Sequence, residues 1–255
     1  MAGQRDRRSS NPPLANTKLA HYRKKRDFAK TPEPKGIPAA KKGFHYLIQK
    51  HAATRLHYDF RLELDGVLKS WAVTRGPSLD PQEKRLAVEV EDHPVSYGSF
   101  EGIIPKGQYG GGTVMLRDRR TWAPVEGKSA KDIEKGHLHF TLSGERMNGE
   151  WILIRLRPRP GEKRENWLLR KVADAHAKPD NALVESALTS VLTGRTMAEI
   201  AADRMRAGPH VGDAHAVRPV VAATDVVDLR SAAKLATADD DGALQQAETL
   251  QIADQ

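Results

Sequence analysis

Between residues 44 and 172, apolar side chains recur at every second position in short runs cut off by turn signals, and this period of two constrains the fold most. The run HYDFRLEL sets Tyr58, Phe60, Leu62 and Leu64 against His57, Asp59, Arg61 and Glu63. Successive side chains of a strand point to opposite faces, so one face here is apolar and the other ionisable. Asp65-Gly66 is a hairpin turn signal, and VLKSWAV follows it. LAVEVEDH alternates again, with Val88 and Val90 opposed to Glu89, Glu91 and His93. A Gly-rich turn feeds the next strand, HLHFTLSG and EWILIRLR flank a predicted turn at Asn148-Gly149, and WLLRK ends the series. At least six strands with short connections and few helices predict a mainly β domain, a closed or strongly curved antiparallel β-barrel with short helices and flexible termini.

The ends of the chain read differently. Residues 1–20 mix Arg, Ser, Asn and Pro and are predicted to be a disordered basic arm. A short basic helix is expected from His21 to Phe28, and three prolines between Thr31 and Pro38 require extended backbone. The β domain is assigned to residues 21–172. Residues 173–255 hold no aromatic side chain to anchor a core and read as an acidic, Ala-rich linker or tail, mostly disordered with weak helices. Charge follows the same division: residues 1–50 carry 13 Lys/Arg against 3 Asp/Glu, and residues 172–255 carry 7 against 13. A basic arm ahead of a mildly basic body suits a polyanionic partner such as nucleic acid. With no cysteine, disulfides and thiolate metal sites are excluded, which fits a reducing cytoplasm. No apolar run is long enough to span a bilayer, and the polar N-terminus is not a secretory signal, so no membrane association is expected.

The densest chemistry is His51-x5-His57-x-Asp59-x-Arg61. Two imidazoles and a carboxylate form a ligand set for Mn, Fe or Zn that leaves positions open for substrate. An Arg beside them offers a fork of donors shaped for phosphate or carboxylate. The competing reading is a polar strand face that meets solvent. If the strand carrying Glu89, Glu91 and His93 neighbours the first, the two polar faces form one concave surface inside the barrel, and burying it without a function would be costly. The loop IPKGQYGGG lacks the spacing of a P-loop and reads as a tight turn.

Taken together, RDFAKTPEP, HAATRLHYDFRLE, VEDHPVSYGSFEG and ENWLLRK closely resemble the 3′-phosphoesterase domain of bacterial DNA ligase D, from Arg26 to Lys171. The resemblance implies a curved β-barrel with Mn2+ or another divalent transition metal held by His51, His57 and Asp59. It implies a hydrolase that removes a 3′-terminal ribonucleotide as a phosphodiesterase and then the 3′-phosphate as a phosphomonoesterase, in double-strand break repair by end joining. Arg61 and His93 are then expected at the phosphate with Tyr97 close by, Arg85 and Gln49 at further polar positions, and Glu91 in support. Arg26, Asp27 and Glu33 match a segment required for the diester step. Arg75 stands where the family often has Lys, Lys106 where an acidic residue is common, and Arg117 where Trp is common. SVLTGRTMAEIA resembles the linker that follows this domain in the multidomain enzyme, and a stand-alone or split form is expected. Primer-template 3′ ends, Ku and separate ligase and polymerase subunits are the expected partners, with the cytoplasm and its nucleoid as the location. Two rival readings are a non-catalytic DNA-end-binding module and an Fe(II) oxygenase with His137 or His139 as a third imidazole.

Overall fold

The computed structural model describes residues 18–36, 43–179 and 188–206. Most of the expected basic arm (residues 1–17) and the tail beyond residue 206 lie outside the described residues. The elements are α1 (Ala20–Lys24), β1 (His45–Ala52), β2 (Leu56–Leu64), β3 (Val67–Val73), β4 (Lys84–Pro94), β5 (Gly102–Ile104), β6 (Gly112–Pro124), β7 (His137–Gly144), β8 (Asn148–Arg155), β9 (Asn166–Lys171) and α2 (Met197–Arg206). The order β1-β2-β3-β4-β9-β8-β7-β6 closes through a β6–β1 pairing into an eight-stranded antiparallel barrel, and β5 adds to the far edge of β6. Asp65 and Gly66 take φ of 51° and 79°, as the tight turn between β2 and β3 requires.

The apolar face predicted for β2 points into the barrel, whereas on β4 Ala87 and Glu89 face inward and the predicted Val88 and Val90 lie on the outer face. Tyr46, Tyr58, Phe60, Trp71, Trp122, Phe140, Trp151 and Trp167 fill the barrel as one buried cluster. An eight-stranded barrel has just room for such side chains. The expected polar surface inside the barrel is therefore a misplacement: the ionisable faces of β1 and β2 lie outside, beneath a second layer. That layer is a smaller core of Tyr22, Leu47, Leu68, Tyr97, Phe100, Ile104, Val114 and Leu116.

β6 holds the two layers together. Along one edge its residues 113–121 pair with β1, while the opposite edge pairs with β5 at one end and β7 at the other. The gap between β5 and β7 is filled by a segment beyond the expected domain limit. Val191 N–H donates to the Leu116 carbonyl (2.9 Å), and Arg146 donates to the carbonyls of Arg117 (3.0 Å) and Thr189 (2.8 Å). Ser190 and Ile200 are buried there.

The turn predicted at Asn148-Gly149 is shifted: both residues open β8, and the chain reverses over residues 145–147. Its cause is remote in sequence. The Asp118 carboxylate of β6 accepts the backbone N–H groups of Glu145 (3.0 Å), Arg146 (3.1 Å) and Met147 (2.7 Å), together with the Tyr46 hydroxyl (2.7 Å).

Candidate functional site

His51 and His57 face each other across the β1–β2 ladder, and Gln49 faces Asp59 one step along the same face. One donor atom from each of His51, His57 and Asp59 lies within 4.8 Å of the others, close enough to converge on one cation. Backbone carbonyls fix both ring tautomers. A carbonyl only accepts, so His51 Nε2–H donates to the Gly110 carbonyl (2.8 Å) and His57 Nδ1–H to that of Arg55 (2.9 Å). His51 Nδ1 and His57 Nε2 are left with free lone pairs, 3.5 and 3.8 Å from the Asp59 carboxylate. Metal-binding histidines are oriented by this kind of outer hydrogen bond. The donor set therefore fits a divalent transition ion. Among the described residues, neither His137 nor His139 joins this group; His139 pairs with Glu150 across β7 and β8 (3.0 Å), which removes the third imidazole of the rival oxygenase reading.

Arg61, two residues along the same face, is 2% exposed and uses its whole fork. Nη2 lies 3.1 Å from the Asp59 carboxylate, Nε donates to Gln49 (2.9 Å), and Nη1 donates to Ser70 Oγ (2.8 Å) while lying 2.9 Å from His93 Nδ1. Burial alone would raise the Asp59 pKa, but the charge of the Arg61 guanidinium holds it well below the usual carboxylate range.

β2 and β4 are not neighbours; β3 stands between them, and the small side chain of Ser70 lets Arg61 reach across. The expected sharing of one face by Glu89, Glu91 and His93 also needs correction. The β3–β4 register steps from Ser70↔Val90 to Leu68↔His93, so β4 carries one extra residue. Such a bulge exchanges the faces beyond it. Glu89 is turned to the barrel side, where it accepts the Trp167 indole N–H (2.8 Å), and His93 arrives beside Arg61.

The segment from Leu19 to Gly36 straps over this surface. Arg26 stacks on the Tyr22 ring (3.9 Å), pairs with Glu33 (2.8 Å) and Glu91 (3.0 Å), and directs Nη2 at His93 Nε2 (3.2 Å). A proton on His93 Nδ1 suits Arg26 at Nε2 and the Glu91 carbonyl at Nδ1 (2.8 Å), and leaves Arg61 Nη1 donating to Ser70 alone. Burial first, then Arg61 and Arg26, push His93 well below the ordinary imidazole range, and the ring is neutral. Tyr97 donates to Glu33 (3.1 Å) and lies under the Arg61 guanidinium (5.0 Å). Burial, reinforced by Glu33, keeps its phenol protonated. Burial would raise Glu91, but Lys25 (2.8 Å) and Arg26 outweigh it and lower its pKa.

The structure thus joins Gln49, His51, His57, Asp59, Arg61, Glu91, His93, Tyr97, Arg26 and Glu33 in one network. Three expected site residues stand apart from it. Asp27 is exposed and accepts the Ala29 N–H within its own turn (3.1 Å), Arg75 is exposed just past β3, and Arg85 lies on the barrel side of β4, 3.5 Å from Glu83. Sequence reasoning missed Ser70, Tyr22 and the two carbonyls that set the tautomers, because none belongs to a residue type that announces chemistry.

Comparison with known proteins agrees with this geometry. Residues 49–155 match the family model described as DNA Ligase D 3′-phosphoesterase domain. The chain is 50% identical over 184 residues to the multifunctional non-homologous end joining protein LigD of Pseudomonas aeruginosa, covering 70% of this chain and 22% of that protein. It is 40% identical over 177 residues to the protein of the same name from Mycolicibacterium smegmatis, covering 66% and 22%, and 44% identical over 154 residues to the LigD of Mycobacterium tuberculosis strain H37Rv, covering 59% and 20%. The chain thus spans about a fifth of the length of these curated relatives. Residues 49–155, which hold the triad, Arg61 and His93, thus match the DNA Ligase D 3′-phosphoesterase domain.

Proposed function

We propose that this chain is a metal-dependent hydrolase of phosphate esters at DNA 3′ ends, serving break repair by non-homologous end joining. On this reading it removes a terminal ribonucleotide as a phosphodiesterase and then the remaining 3′-phosphate as a phosphomonoesterase. One observation carries the reading: two imidazole lone pairs and a carboxylate held ionised converge beside a buried guanidinium. His51, His57 and Asp59 would hold Mn2+ or a similar ion, which when bound supplies Lewis acidity toward a phosphoryl oxygen.

The remaining work falls to the chain's own groups. Arg61, fixed by Gln49 and Ser70, supplies a positive charge that need not reorganise as negative charge develops on the phosphate. The protonated Tyr97 phenol donates to a phosphate oxygen once Glu33 yields it, and neutral His93, its Nε2 lone pair facing the strap, accepts a proton there once Arg26 moves away. Glu91 steadies the strap through Lys25 and Arg26, and exposed Arg75 with Arg85 add positive potential toward a polyanion. Ku and separate ligase and polymerase proteins are the proposed partners, in the cytoplasm at the nucleoid.

The test is an end-labelled primer-template with one 3′-terminal ribonucleotide, incubated with and without Mn2+. Stepwise conversion to a 3′-phosphate and then a 3′-hydroxyl is expected. Salt-sensitive DNA binding without hydrolysis would instead leave a non-catalytic end-binding module.

A further inference from the structure

The exposed large apolar side chains among the described residues are Phe44, Leu56, Tyr109, Leu188 and Leu192. Tyr109 differs from the others in what surrounds it. It sits in the loop between β5 and β6, which is braced by successive turns in which Gln108 N–H donates to Pro105 and Gly111 N–H to Gln108 (3.1 and 3.0 Å). Its neighbour Gly110 provides the carbonyl that holds His51. The Tyr109 hydroxyl accepts from Lys25 Nζ (3.1 Å) and donates to Glu91 (3.4 Å), so the ring tip is clamped to the strap and to β4. Lys25 Nζ and the Arg26 guanidinium lie 4.6 and 5.5 Å from the ring centre. Tyr109 as a whole remains 41% exposed.

We propose that Tyr109 is a stacking platform for the nucleoside of the terminal nucleotide, one residue from the carbonyl that orients His51. The inference rests on the phosphoesterase reading and adds to it a binding residue for the part of the substrate beyond the phosphate. Every base has a π-face, so a fixed aromatic ring beside cations binds nucleotides without sequence preference. A ring already clamped by its hydroxyl loses little conformational freedom when a base settles on it. A phosphate drawn to the triad carries its nucleoside toward this loop, because the loop supplies one wall of the triad.

The test uses the full chain and a primer-template ending in a 2-aminopurine ribonucleotide, its last linkage a phosphorothioate so that binding in Mn2+ is read before turnover. Fluorescence quenching on binding is expected for the wild type and for Tyr109→Phe, which keeps the ring and loses only the clamp. Tyr109→Ala should lose the quenching and bind about tenfold more weakly, within the range of one stacked base. In turnover with ordinary substrates, Tyr109→Ala should lower the kcat/KM ratio of the ribonucleotide-ended primer to a small phosphate monoester about tenfold. Tyr109→Phe should restore that ratio. Equal losses in the Phe and Ala variants, or no quenching in a wild type that hydrolyses the primer, would overturn the proposal. A wild type that quenches but hydrolyses neither substrate would instead sink the phosphoesterase reading and leave the stacking contact standing.

Discussion

Glu33→Gln isolates what holds the strap to the site. Glu33 is 4% exposed, and its two oxygens accept from Arg26 Nε (2.8 Å), the Tyr97 hydroxyl (3.1 Å) and Thr31 Oγ1 (2.8 Å). Glutamine keeps the shape. Its oxygen can still face Arg26 and Tyr97, and its amide can face Thr31, whose hydroxyl turns to accept. Only the charge is lost, and Arg26 keeps Glu91 as a partner. Exchanging one charge-assisted bond for a neutral one should therefore cost the difference between the two, about 1–1.5 kcal/mol. That is roughly 5- to 13-fold in the equilibrium for local opening of the strap. Hydrogen exchange should show faster amides from Leu19 to Glu33, with the amides of β2 and β8 unchanged. The diester step should fall more than the monoester step, because the triad and Arg61 are untouched. Equal loss of protection throughout the barrel, or equal loss of both reactions, would refute a local role for Glu33.

His57 is partly exposed, so His57→Ala should cost little stability but weaken Mn2+ binding by at least about 100-fold, since loss of an outer partner alone costs 10- to 100-fold; isothermal titration beside primer hydrolysis checks this. Glu89 has its pKa raised, chiefly by burial, so its stabilising contribution is present below the unfolded value near 4.3 and is lost as pH rises through the folded value. Glu89→Gln keeps an acceptor for Trp167 and should raise Tm at pH 8 but not at pH 4, and an equal shift at both would contradict the sign. Ile200→Ala should destabilise the domain by about 2–4 kcal/mol in urea unfolding if residues 188–206 are integral to it, and a change below the error of the measurement would make them an appendage.

Much of the fold was legible because a period of two leaves each strand with one possible inward face. The Asp65-Gly66 turn and the bounds of β3 agree with the sequence reading, as does the face that carries His57, Asp59 and Arg61. Two features that place the site were not legible. The extra residue in β4 leaves no mark in LAVEVEDH, since a bulge is defined by the partner strand, yet it decides that His93 and not Glu89 meets Arg61. The turn at residues 145–147 depends on Asp118, more than 25 residues earlier, and this overrode the local signal of Asn148-Gly149. The segment at Val191 looked like a linker because it lacks aromatics. It is held by backbone hydrogen bonds to β6, which composition cannot reveal.

The charges of the site explain why so many ionisable groups tolerate burial outside the barrel core. Lys25 and Arg26 in the strap pair with Glu33 and Glu91, so these four groups, which face the site, cancel one another. His93 is neutral and Tyr97 protonated, which leaves Arg61 and Asp59 to cancel each other at 3.1 Å. The metal-free site is therefore close to neutral, and a buried guanidinium beside the triad costs little while Asp59 is ionised. A divalent ion at the triad would leave a net charge of about two positive units, set between two neutral hydrogen-bonding groups, and a phosphate monoester near neutral pH carries about two negative ones. The diester carries only one. On the proposed reading, charge alone favours the monoester, so the energy for the diester step would come from contacts beyond the phosphate, for which the strap and Tyr109 are the candidates.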